Sequence, residues 1–133
     1  MNEALAGATK ALVLTEGLLM YLENRDVVAL SGAFTRPEIA WWMFDLWGAG
    51  LKKWMDKKTS GIMQNAPFKF APDNGLAYFE DLGWKTAEVE SVLLATYRFH
   101  RLPPWLRLLA RLPQPDPRNP RNRRWNGVAR LTH

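Results

Sequence analysis

Ala11-Leu12-Val13-Leu14-Thr15-Glu16-Gly17-Leu18-Leu19-Met20-Tyr21-Leu22 sets four apolar residues just ahead of a carboxylate and a glycine, with a second apolar run behind. A short continuous apolar run of this kind suits a strand buried on both faces, as in a parallel sheet covered by helices. Glu16 and Gly17 then stand at the carboxyl end of that strand, where open α/β sheets bind ligands. Glycine lets the chain turn sharply there and keeps the backbone close to whatever occupies the crevice. Spacing alone fits a helix-capping turn with a chance acid equally well.

The rest of the chain supplies alternating strands and helices. Thr9 to Thr15 is predicted as a strand and Asn24 to Ala33 as a helix, with Asn24 as N-cap and Val27, Val28 and Leu30 on its apolar side. Glu38 to Leu46 is aromatic-rich and suits an interior strand. It is followed by Asp45 at its end and by a helix from about Leu51 to Lys58, with Lys52, Lys53, Lys57 and Lys58 exposed and Leu51, Trp54 and Met55 inward. Ser60 to Pro72 reads as a loop anchored by Phe68 and Phe70, and Asp73 as the cap of a helix through Leu82 that Gly83 stops. Trp84 to Ser91 is predicted as a strand with Val89 inward and Glu88 and Glu90 outward, and Val92 to His100 as a helix. Trp105 to Leu112 follows as an amphipathic helix packed on the sheet, with Arg107 and Arg111 one turn apart. Pro113, Pro115, Pro117 and Pro120 make 113–124 an irregular Pro/Arg-rich loop, and Trp125 to Leu131 closes the chain as a strand. Two acid-terminated strands, each followed by a helix, predict a parallel α/β half-sheet.

T-E-G-L-L-M-Y-L, residues 15–22, resembles the signature of the leucine carboxyl methyltransferase-like family of class I S-adenosylmethionine (SAM)-dependent methyltransferases. The resemblance continues in family order through Pro67-Phe68-Lys69-Phe70-Ala71-Pro72 and Tyr78-Phe79-Glu80-Asp81-Leu82-Gly83-Trp84. Arg101-Leu102-Pro103, Leu108-Leu109-Ala110-Arg111-Leu112-Pro113 and Trp125-Asn126-Gly127-Val128 complete it. It spans nearly the whole chain but only the carboxyl-terminal half of the family. What it implies is one domain, residues 1–133, carrying a partial Rossmann-like sheet with flanking helices and an antiparallel C-terminal edge. It further implies methyl transfer, as O-methylation of a small-molecule or carboxylate acceptor, with SAM as cofactor.

Composition bounds the alternatives. The chain has 133 residues, 47% hydrophobic and 23% charged, which is ordinary for a globular domain and argues against disorder along its length. It has no cysteine, which removes disulfides and thiolate metal sites and fits a reducing, cytoplasmic setting. Met1-Asn2-Glu3-Ala4 does not open a signal peptide, and Lys10 and Glu16 interrupt the longest apolar region before it could span a membrane. The net charge is +5, and Arg98, Arg101, Arg107, Arg111, Arg118, Arg121, Arg123, Arg124 and Arg130 face only one acid, Asp116, in the last third. That stripe admits a second function, a non-enzymatic basic module that contacts nucleic acid. A solvated surface is the plainer account, since no nucleic-acid motif accompanies the arginines.

The candidate residues follow from the resemblance and from cation chemistry. In the family the acid of the first motif contacts SAM, which assigns Glu16 to cofactor binding and Gly17 to the turn that permits it. SAM carries an ammonium and a sulfonium, which a carboxylate in a concave, partly dry site stabilises. Met20 and Tyr21 are candidates for the substrate pocket, Tyr21 offering a ring face to a sulfonium. Asp45 is a candidate on the acceptor side, or else the cap of the helix that follows. His100 and His133 show no metal-ligand spacing, no metal is expected, and no residue is assigned as catalytic.

Phe44-Asp45-Leu46-Trp47-Gly48-Ala49-Gly50 superficially resembles the glycine-rich SAM loop, but Trp47 stands where a glycine should admit the cofactor. No ribose-binding acid at the end of a second strand follows it about 20 residues on. The family's own glycine-rich loop and ribose acid belong to an amino-terminal half that nothing before Ala11 supplies. The resemblance therefore implies a fragment, with an apolar edge at Thr9 to Thr15 that a front-half polypeptide or a second copy would cover.

Overall fold

The computed structural model describes residues 1–58 and 67–133. Four strands, β1 (Ala11–Thr15), β2 (Ile39–Trp47), β3 (Lys85–Ser91) and β4 (Asn126–Thr132), form one sheet in the order β1-β2-β4-β3. β1 and β2 are parallel, whereas β4 runs antiparallel to both β2 and β3. The chain is thus mixed α/β, with an open sheet and an antiparallel carboxyl-terminal part. β4 lies inside that part, and β3 is the edge.

Helices α1 (Asn24–Ala33), α2 (Ala49–Lys58), α3 (Ala77–Asp81), α4 (Val92–Arg98) and α5 (Arg107–Ala110) connect the strands. α1 has the predicted bounds, but its N-cap is Glu23, which closes a reciprocal box with Asp26. That box satisfies two orphan N–H groups, which moves the cap one residue ahead of Asn24. Val27 faces the core while Val28 is exposed. α3 begins only at Ala77, with no side-chain cap, so Asp73 caps nothing. Gly83 adopts φ +97°, the left-handed geometry expected of the helix stop. Of the helix-face lysines, Lys52 is half-buried because its Nζ pairs with Asp56 one turn on, at 2.7 Å. The predicted loop from Ser60 lies, up to residue 66, outside the described residues.

The core sits on one face of the sheet. Register alignment places Val13, Trp42 and Leu131 side by side, with Phe44 and Ala129 in the next row. Trp42 is fully buried at its centre, with the rings of Phe34, Phe44, Phe79 and Trp84 at centroid distances of 5.2, 4.8, 5.5 and 5.5 Å. Tilted and edge-on packing suits aromatic quadrupoles. Two of the buried indoles donate to core hydroxyls: Trp42 Nε1 to Thr15 Oγ1 at 2.9 Å, and Trp84 Nε1 to Ser31 Oγ at 2.8 Å.

The other face is open, and this corrects the doubly buried reading of β1. Leu12 and Leu14 are 49% and 58% exposed, beside half-buried Trp41 and Met43 on β2. The reason is position: β1 ends the sheet, and among the described residues no strand pairs with its outer side. Val89, expected inward, is exposed because β3 is the opposite edge.

Candidate functional site at the carboxyl ends of β1 and β2

Parallel pairing aligns Thr15 with Phe44, so both strands finish at the same end of the sheet. β1 then turns through Glu16 and Gly17, and Gly17 takes φ +61°. Its backbone N–H donates to Asp45 Oδ1 at 2.7 Å, joining two segments 28 residues apart. Asp45 thereby closes the turn after β1. A carboxylate accepting an N–H forms a charge-assisted bond, stronger than a neutral one.

Glu16 is exposed, with no hydrogen bond or ion pair among the described residues. Leu19 and Met20 are buried under the turn, in the short 3-10 helix Leu19–Tyr21. Met20 carbonyl accepts the N–H groups of Lys69 and Phe70 at 2.7 and 3.2 Å, which pins the 67–72 segment beside the turn. Lys69 Nζ pairs with Glu23 at 2.9 Å and reinforces that contact. Met20 is itself buried, at 9% exposure, beside this anchored segment.

Tyr21 stays partly exposed, its ring 5.5 Å from Phe68, which lies 4.8 Å from Trp47. Tyr21, Phe68 and Trp47 form a run of aromatic faces across the carboxyl end of the sheet. Phe68 was legible as a loop anchor and Trp47 only as an obstacle to a glycine-rich loop. Their joint role depends on the 67–72 segment folding back, which no local pattern encodes.

The structure brings Gly17 and Asp45 into contact and sets Glu16 and Tyr21 on the adjoining turn. Acidic groups next to aromatic faces attract and hold an organic cation. Among the described residues no cluster of three His, Asp or Glu side chains could hold a metal ion. His100 is exposed at φ +56°, just past α4, while His133 stacks on Trp84 at 4.1 Å.

Gly48 and Gly50 have a packing role. A Cβ on Gly50 would collide with the backbone of Asn122 and Arg123, and one on Gly48 would crowd Trp125 carbonyl at 3.2 Å. The close approach is made by the 119–125 loop of the same chain, with Lys53 Nζ donating to Asn122 Oδ1 at 2.8 Å. These glycines admit protein backbone.

The arginines do not form one free row. Arg98, Arg118 and Arg130 pair with Glu90, Glu80 and Glu88 at 2.8, 2.9 and 2.9 Å. Arg124 lies over the Trp54 ring, 4.9 Å from its centroid. A cavity of about 510 Å³ on the open sheet face is walled by Met43, Leu94 and Val128 and rimmed by the Glu88–Arg130 and Glu90–Arg98 pairs. No helix of the described residues is long and apolar enough to cross a membrane. Comparison with protein-family models, curated proteins and solved structures finds no match to this chain.

Proposed function

We propose that the chain is the carboxyl-terminal half of a SAM-dependent methyltransferase, acting on an oxygen of a small-molecule or carboxylate acceptor. One observation carries this reading: the Gly17–Asp45 hydrogen bond unites two acid-bearing strand ends, beside Glu16, at the ligand-binding end of a parallel pair. The residue types fit the cationic portion of SAM, which combines an ammonium with a sulfonium. When bound, SAM supplies an activated methyl group for in-line displacement.

The chain's own residues have the following roles. Glu16, without a partner among the described residues, offers its carboxylate to the cation, and Gly17 holds the turn that presents it. Asp45 fixes that turn and adds negative charge nearby. Tyr21, Phe68 and Trp47 offer ring faces that exclude water and favour a cation. Positioning would supply most of the acceleration, as expected for a displacement that needs alignment of two groups.

Isothermal titration with SAM, on the chain alone and with a candidate front-half protein, tests the proposal. Measurable binding is expected, with an affinity that Glu16→Gln lowers about tenfold, the order of one charge-assisted contact. Absence of binding in both cases overturns it.

A further inference from the structure

Trp105, Leu108, Leu109 and Leu112 recur at i, i+3, i+4 and i+7, one face of a helix. The structure turns that face to solvent instead of packing it on the sheet, which corrects the sequence expectation. Trp105 is 75% and Leu108 67% exposed, Leu109 and Leu112 are exposed beside them, and nearby Phe99 is 63% exposed. The inward side is already filled by buried Leu102 with half-buried Leu106 and Ala110.

The segment is held in this pose. Arg107 Nε donates to Leu102 carbonyl at 3.4 Å, at the start of the helical run. At its end, Gln114 Nε2 donates to the carbonyls of Leu109 and Leu112 at 3.3 and 2.9 Å. These bonds fix the local conformation that presents the outward apolar face.

Charge identifies the occupant. Arg98, Arg101, Arg107 and Arg111 flank the apolar face, and no acid occurs from residue 98 to residue 115. Arg98 is taken by Glu90, whereas Arg101 and Arg111 have no acidic partner among the described residues. An interfacial tryptophan, three leucines and a rim of guanidinium groups match an anionic lipid surface, where rings sit at headgroup level and arginine binds phosphate. Nucleic acid would engage the arginines but leave the leucines in water.

We propose that the segment Phe99–Leu112 docks the protein in the plane of an anionic bilayer, with Trp105 and Leu108 entering the headgroup boundary. The docking is reversible, because one short element buries little apolar area. It is independent of the methyltransferase reading and would hold for any activity of the chain.

Co-sedimentation of the full chain with vesicles of phosphatidylcholine, alone or with phosphatidylglycerol, tests it. Association is expected with the anionic vesicles only, falling as salt rises. Leu108→Asp should weaken it at least tenfold, and Arg101→Gln or Arg111→Gln by about fivefold each. Circular dichroism should show all three variants folded, since these side chains are exposed. No association with anionic vesicles overturns the proposal, as does a Leu108→Asp variant that binds like the parent. Two results would assign the face elsewhere and equally overturn it. One is a dimer that Leu108→Asp disperses without any vesicle binding, and the other is RNA or DNA binding unaffected by Trp105→Ala.

Discussion

Gly17 N–H and Asp45 Oδ1 meet at 2.7 Å and tie the turn after β1 to the last residues of β2. The bond is possible because Gly17 sits at φ +61°, a backbone state that costs an L residue roughly 1–2 kcal/mol. Nothing lies within 4 Å of a Cβ built there, so the strain is conformational and not steric.

Gly17→Ala should therefore lower stability by about 1 kcal/mol while leaving the core intact. Asp45→Ala, which strips the acceptor from that N–H, should cost about 1–2 kcal/mol. Asp45→Asn keeps an acceptor oxygen and should recover most of the loss. Urea unfolding of the three variants checks this; equal losses for Asp45→Ala and Asp45→Asn would show that charge alone matters at this turn.

The buried indoles of Trp42 and Trp84 make a sharper demand. Removing the acceptor with Ser31→Ala leaves Trp84 Nε1 buried without a partner, a penalty of about 1–3 kcal/mol. Thr15→Val does the same to Trp42 Nε1 at nearly constant volume. Trp84→Phe in the Ser31→Ala background should cost less than the sum of the two single changes. Thermal melts of the double-mutant cycle measure that coupling.

These two bonds mark the boundary of what the residue pattern reveals. α1 was legible because its signal is local, apolar residues at helical spacing behind a polar start, although the cap is Glu23 with Asp26 and not Asn24. β2 was legible because an aromatic run this long has few other solutions. The exposure of Leu12 and Leu14 was not legible, since it depends on what covers the sheet. The periodicity of Trp105, Leu108, Leu109 and Leu112 revealed a helical face but not its direction. Likewise Glu16, Gly17 and Asp45 stood out singly as strand-end residues. Only parallel pairing across 28 positions shows that two of them bond. That β4 inserts between β2 and β3 is also non-local, set by the antiparallel ladders it makes with both.

Acid should weaken the protein through Glu38. Hydrogen bonds from Arg36, at 3.2 and 3.4 Å, hold its carboxyl below the ordinary carboxylate range. Because its folded pKa is depressed, the stabilisation is present above the unfolded value and is lost as pH falls through the folded one. Both side chains are about a third exposed, so the effect is small and salt-sensitive. Glu38→Gln should flatten the slope of stability against pH in the acid range and leave neutral stability nearly unchanged. Melting temperatures from pH 7 down to about 3 compare the two proteins across that window.

The free edge of β1 predicts how the isolated chain behaves in solution. Leu12 and Leu14 lie exposed on a strand whose outer N–H and C=O groups pair with no strand among the described residues. An apolar, unpaired edge of this kind is a template for another strand, such as that of a second copy. Leu14→Lys places a charge on that edge without disturbing the core, which lies on the opposite face. It should shift sedimentation toward monomer and lower aggregation on heating, with an unfolding midpoint within about 0.5 kcal/mol of the parent. It should also impair complementation by a front-half protein, because any strand added there must pass the new ammonium. Unchanged self-association in Leu14→Lys would place the contact on another surface.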